Sequence, residues 1–116
     1  MMRDVFKRTD MCGDLRIEDA GRDVVLNGWV AKKRNLGGLI FADLRDRTGI
    51  TQIVFDDKTE KSVFDKADTL KSEYVIGVKG TVGERESKNK KIPTGDIEVR
   101  AAELVIYSTA DTSYLC

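Results

Sequence analysis

From residue 23 to 107 the apolar side chains recur mostly every second position, with one interruption of helical period. Ile40, Ala42 and Leu44 fall on one side of an extended chain, and Phe41, Asp43 and Arg45 on the other. In the next run Ile53 and Phe55 continue the apolar side, which leaves Gln52 and Val54 opposite. Upstream, Val24, Leu26, Gly28 and Val30 share one parity, and Val25, Trp29 and Ala31 the other. These patterns predict strands over 23–34, 39–45 and 50–55, joined by turns at Asn35-Leu36-Gly37-Gly38 and Asp46-Arg47-Thr48-Gly49. Over 59–71 the period changes: Val63, Phe64, Ala67 and Leu70 form one stripe of a helix, with Thr59 as its N-cap. A fourth strand follows over 74–84, with Ile76, Val78 and Val82 inward. After a polar loop at 85–95 comes a fifth over 96–107, with Ile97, Val99 and Ala101 inward and Glu98 and Arg100 outward.

Three strands, a helix, then two strands is the order of an all-β OB-fold, a five-stranded Greek-key barrel with its helix between strands three and four. Gly28 stands mid-strand, where the missing side chain permits a bend or a close crossing. Trp29 reads as core or barrel end rather than as a ligand contact. Residues 1–22 form an extension in which Leu15, Ile17 and Ala20 make a helical turn capping the barrel. Residues 23–107 are the barrel, and 108–116 a tail.

Composition narrows the chemistry. The chain has 116 residues, 41% hydrophobic and 34% charged, with a formal charge of zero, and so forms one globular domain rather than a disordered polycation. The charge is uneven: residues 56–73 hold six acids against four lysines, and residues 85–91 four bases against one acid. Two cysteines, Cys12 and the terminal Cys116, with no histidine, argue against a disulfide or a zinc site and for a reducing cytoplasm. No apolar run approaches the roughly 20 residues of a membrane span, and the first residues lack a secretory signal's apolar segment.

No catalytic set is present: no histidine base, no G-x-S-x-G and no phosphate loop. Asp43, Asp46, Asp56 and Asp57 lie at strand ends, where carboxylates form turns more often than metal sites. What remains is the polar face of strands two and three, the binding face of an OB-fold. It carries Phe41, Gln52 and Val54. Arg34, Leu36, Lys88, Asn89, Lys90 and Lys91 stand in the flanking loops, Lys32 and Lys33 add positive charge, and Glu98 completes a wall. An exposed ring stacks on an unpaired base. A glutamine amide both donates and accepts, as uracil requires, and a glutamate only accepts, which suits guanine's N1–H and N2–H or cytosine's amino group. The alternatives are a phenyl ring packed beneath loop 85–91 and a solvated basic strand edge.

CGDLR at 12–16, NGWVAKKRNLGGLIFADLRDRTGITQIVFD at 27–56, VIGVKGTV at 75–82 and TGDIEV at 94–99 resemble the N-terminal anticodon-binding domain of bacterial aspartyl-tRNA synthetases. The resemblance implies an OB-fold that binds aspartate tRNA by its anticodon GUC. It implies that Phe41 stacks on the middle uracil, that Gln52 hydrogen-bonds it, that Glu98 reads the wobble guanine, and that Arg34 lies near the middle and third bases. Asn89 matches a residue of the loop between strands four and five. Val54 stands where some members have a second phenylalanine. The parent enzyme would be a homodimeric, ATP- and magnesium-dependent ligase. This stretch would hold no cofactor or catalytic site of its own, and would be an excised or truncated piece, possible as a monomer. Two competing readings are a stand-alone single-strand binding protein and a protein-interaction module using the same face.

Overall fold

Strands β1 (Asp23–Asn35), β2 (Ile40–Asp46), β3 (Gly49–Phe55), β4 (Val75–Glu84) and β5 (Ile97–Ser108) close into a barrel in the order β1-β2-β3-β5-β4. The computed structural model describes residues 6–109; of the expected 108–116 tail, Ser108 is the last residue of β5, and residues 110–116, including Cys116, lie outside them. Every pairing is antiparallel except β3 with β5, where Ile53 lies beside Val99 and Val54 beside Arg100. The one helix, α1 (Lys61–Ala67), falls between β3 and β4, as the element order predicts.

The inward set is the one the alternation assigns. Leu26, Val30, Ile40, Leu44, Ile53, Phe55, Ile76, Val78 and Ile97 are all fully buried, each large apolar side chain contributing about 1.5–3 kcal/mol. Val63, Ala67 and Leu70 close one end of this core, with Phe64 partly buried against it. Gly28 is needed for close approach: a Cβ there would collide with the Arg45 carbonyl oxygen. At the N-terminal side a 3-10 turn, Ile17–Asp19, forms where a helical turn is expected. Leu15 and Cys12 are the residues that reach the core from this segment, whereas Ile17 and Ala20 are exposed.

Three expectations are corrected. The helix is shorter than 59–71, and Thr59 does not cap it. The Thr59 hydroxyl accepts the Asp56 N–H at 2.9 Å, which closes the turn before the helix, and Glu60 occupies the N-cap with no side-chain cap bond. Trp29 is not core: it pairs with Arg45 and Val75 on the outer surface and is half-buried. The third correction concerns Arg34, expected in a flanking loop: it lies within β1, whose register against β2 shifts between Val30 and Lys32. Ala31 is the extra residue of a bulge, and a bulge inverts the facing of everything after it. Strict alternation would place Lys32 and Arg34 with inward Val30; the bulge instead sets Lys32 opposite Asp43 and Arg34 opposite Phe41. Lys33 takes the other face, where its ammonium donates to the Asp68 carbonyl at 2.9 Å.

Candidate nucleic-acid interface

Strand register arranges the outer face of β1, β2, β3 and β5 into two rows. One runs Arg34, Phe41, Val54, Arg100; the next runs Lys32, Asp43, Gln52 and, across the parallel seam, Glu98. An open cleft of about 700 Å³ lies over these rows. Phe41, Gln52 and Val54 form its floor, with Arg34 and Leu39 on one side and Glu98, Arg100 and the 85–87 segment on the other.

The contacts within the cleft are specific. The Arg34 guanidinium lies 4.9 Å from the centre of the Phe41 ring, a cation–π distance. Phe41 remains partly open to solvent, so its ring is neither sealed in the barrel nor closed off beneath the 85–91 loop. Gln52 Nε2 donates to Glu98 Oε1 at 3.2 Å, and Arg100 Nε stands 3.5 Å from the other oxygen, Glu98 Oε2. Each carboxylate oxygen of Glu98 thus has its own partner, an amide on one and a guanidinium on the other. Gln52 is 7% exposed and Val54 5%. These residues are a sunken floor rather than an open surface, because β5 and the segment after β4 overhang them. Arg85 is part of that overhang: it is buried, and its Nε donates to the Ile97 carbonyl at 3.0 Å.

Not every residue expected at the site reaches the cleft. Arg34, Phe41, Gln52, Val54 and Glu98 line it together. Leu36 is exposed at the tip of the β1–β2 turn, and Leu39 takes the lining position instead. Asn89 lies in the β4–β5 loop, its side-chain oxygen accepting the Lys91 N–H at 2.9 Å in a local turn. Lys88 turns back to Glu84 at 2.7 Å, and its hydrogen bond and charge hold that carboxyl below the usual glutamate range. Lys32 shares the outer face without lining the cleft, and Lys33 is bound to the end of the helical segment. The pattern missed Lys58, Arg85, Glu86, Ser87 and Arg100, which also line the cleft. The outward parity of Arg100 beside Glu98 could have found it; nothing in the sequence signals that Arg85 folds inward. Of the four aspartates expected at strand ends, Asp46 and Asp56 form turns, receiving the backbone N–H groups of Thr48 and Lys58, whereas Asp43 lies within β2, paired with Gln52.

The chemistry of this arrangement is that of a planar guest. A half-open ring offers a stacking face. An amide and an acceptor-only carboxylate lie in reach of each other below it, and four cationic side chains (Arg34, Lys58, Arg85, Arg100) outnumber three acidic ones (Asp56, Glu86, Glu98) around the rim.

Residues 24–107 match the family of OB-fold nucleic acid binding domains of the tRNA anticodon type. The chain is 53% identical over 109 residues to an aspartate–tRNA(Asp/Asn) ligase of Caldanaerobacter subterraneus subsp. tengcongensis, and 53% identical over 107 residues to an aspartate–tRNA ligase of Clostridium acetobutylicum. Each alignment covers 92% of this chain and 18% of the relative, so the chain spans about a fifth of their length. Among solved structures, asparaginyl-tRNA synthetase from Pyrococcus horikoshii, complexed with asparaginyl-adenylate, superposes with a TM-score of 0.75 at 29% identity. That superposition covers 91% of this chain and 23% of the other.

Proposed function

The chain belongs to the OB-fold nucleic acid binding family of tRNA anticodon domains, and from that premise we propose that it is the anticodon-reading module of an aspartate–tRNA ligase. The observation that carries this reading is the partly open Phe41 ring set one register step from the Gln52–Glu98 pair, all in one cleft. In this reading Phe41 stacks on the middle uracil of GUC. Gln52 accepts that base's N3–H through Oε1 and donates to its carbonyl with the Nε2 hydrogen not spent on Glu98. Glu98 accepts from N1–H and N2–H of the wobble guanine. Arg34 and the rim cations take carbonyl oxygens or phosphates. Leu36 and Asn89 contribute from the β1–β2 and β4–β5 loops at the edge of the bound strand.

We assign residues 1–22 to a cap, 23–107 to the barrel and 108–116 to the start of a hinge. The chemistry of aminoacylation, with ATP and magnesium, then belongs to other parts of a homodimeric cytoplasmic enzyme. Anticodon binding contributes to it by differential binding of the cognate tRNA, which places the distant acceptor end in the active site. No helix among the described residues is long and apolar enough to cross a membrane.

The test is binding of anticodon stem-loops that differ only in their triplet. The GUC loop binds more tightly than its wobble and middle-base variants, and Glu98→Gln relaxes the wobble preference by about 1–3 kcal/mol, by analogy with base-edge readout in DNA. Equal binding of all triplets would make the chain a general single-strand binder instead.

A further inference from the structure

The reading above gives Arg100 only a general part among the rim cations, yet three observations single it out. Its side chain is 60% exposed at the cleft edge, while that of its ion-pair partner Glu98 is 15% exposed. Its guanidinium is laid on the backbone of Gly83: a Cβ added there would stand 2.9 Å from Cζ and 3.0 Å from Nη2, so the arginine fills the space a side chain at 83 would take. Its shortest contact with Glu98 is made by Nε, 3.5 Å from Oε2, on a side chain that is more exposed than buried. Glu98 poses a problem that Arg100 answers. A carboxylate meant to read a base must stand close to a polyanion, and its charge repels the phosphates on either side.

We propose that Arg100 is an RNA phosphate contact: Nε offsets the charge of Glu98, and the two Nη groups bind a phosphate oxygen of the nucleotide whose base Glu98 reads. The fork geometry of a guanidinium suits this division, since its edges point in different directions and each can hold an anion. The inference rests on the anticodon reading only for the identity of the guest; a phosphate contact would act on any single strand laid in the cleft.

The experiment titrates the full chain, Arg100→Gln and Arg100→Lys with stem-loops carrying each of the four wobble bases, over a series of salt concentrations. A phosphate contact carries no base information. Arg100→Gln is therefore expected to weaken all four loops by the same factor, roughly three- to tenfold at low salt, and to reduce the slope of log affinity against log salt by about 0.7. Arg100→Lys keeps the slope of the parent. Unchanged affinity and slope in Arg100→Gln would overturn the proposal. So would a loss confined to the wobble-guanine loop at unchanged slope, because Arg100 would then act only by holding Glu98. The parent chain separates this from the anticodon reading. If it shows no triplet preference, that reading fails, while the slope change in Arg100→Gln still decides the phosphate contact.

Discussion

Gln52 and Glu98 are hydrogen-bonded to each other across the parallel seam of β3 and β5, Nε2 of the amide donating to Oε1 of the carboxylate at 3.2 Å. The two residues assigned to different bases therefore form one unit. The bond fixes the amide's orientation, because the carboxylate can only accept. Its other consequence is energetic: a residue change at one position alters how the other is held.

The first prediction follows from that link. In binding a GUC stem-loop, Gln52→Ala and Glu98→Ala should each weaken affinity, and the double variant should lose less than the sum of the two. The interaction energy from the cycle should be about 0.5–3 kcal/mol, the range for residues in one hydrogen-bond network. Additivity within about 0.5 kcal/mol would mean that the two positions act independently.

Phe41 gives the second. Its ring is partly open and already carries the Arg34 guanidinium at 4.9 Å, so a base entering the cleft must share or displace that cation. Phe41→Ala should cost about 1–3 kcal/mol of stem-loop binding, the range for one base–aromatic stack. Phe41→Leu keeps the apolar bulk without the π-face and should lose nearly as much. Leucine retaining the parent's affinity would show that the position supplies only bulk.

Much of this site was legible from alternation. The inward residues of β2 and β3 and the outward Phe41, Gln52 and Glu98 all follow from counting by twos. Counting fails where a strand gains a residue. The bulge at Ala31 moves Arg34 onto the Phe41 face and Lys33 off it, and no residue type in AKKR announces which position is doubled. Loop geometry was equally silent. Arg85 is drawn inward by the Ile97 carbonyl, and Asn89 spends its side chain on its own turn. Both depend on partners far away or on a local turn that the residue types do not specify.

The bulge makes the third prediction. Lys33 and Lys32 are neighbours in the chain but lie on opposite faces, and Lys33 is engaged by Asp68 through an ion pair at 3.8 Å as well as the carbonyl contact. Lys33→Gln should leave stem-loop affinity and its salt dependence unchanged. Its effect should be on stability alone, and small, of the order of 0.2–1 kcal/mol for a surface ion pair. A fall in RNA affinity at unchanged stability would place Lys33 on the RNA side and contradict the register.

The fourth prediction concerns acid. Asp46 closes the β2–β3 turn and also ties down the N-terminal segment: Oδ1 accepts from the Thr48 N–H at 2.8 Å and its hydroxyl at 2.6 Å, and Oδ2 from the Cys12 N–H at 2.8 Å. Burial by itself raises the carboxyl's pKa, but the donated bonds, led by the Cys12 N–H, outweigh it and hold the group below the ordinary aspartate value. A folded pKa below the unfolded value of about 3.9 means that the ionised group's stabilisation is complete above that pH. It is lost as pH falls through the folded pKa, because protonation removes the charge that strengthens these bonds and makes one oxygen a donor. Thermal unfolding of the parent and of Asp46→Asn should therefore differ by a constant gap in Tm from about pH 5 to 8, and the gap should shrink below about pH 4. The Cys12 thiol does not intrude on that window, since burial first and the nearby Asp46 charge second push its pKa far up and keep it protonated. A gap that persists undiminished into strong acid would show that Asp46 stabilises the turn by shape rather than by charge.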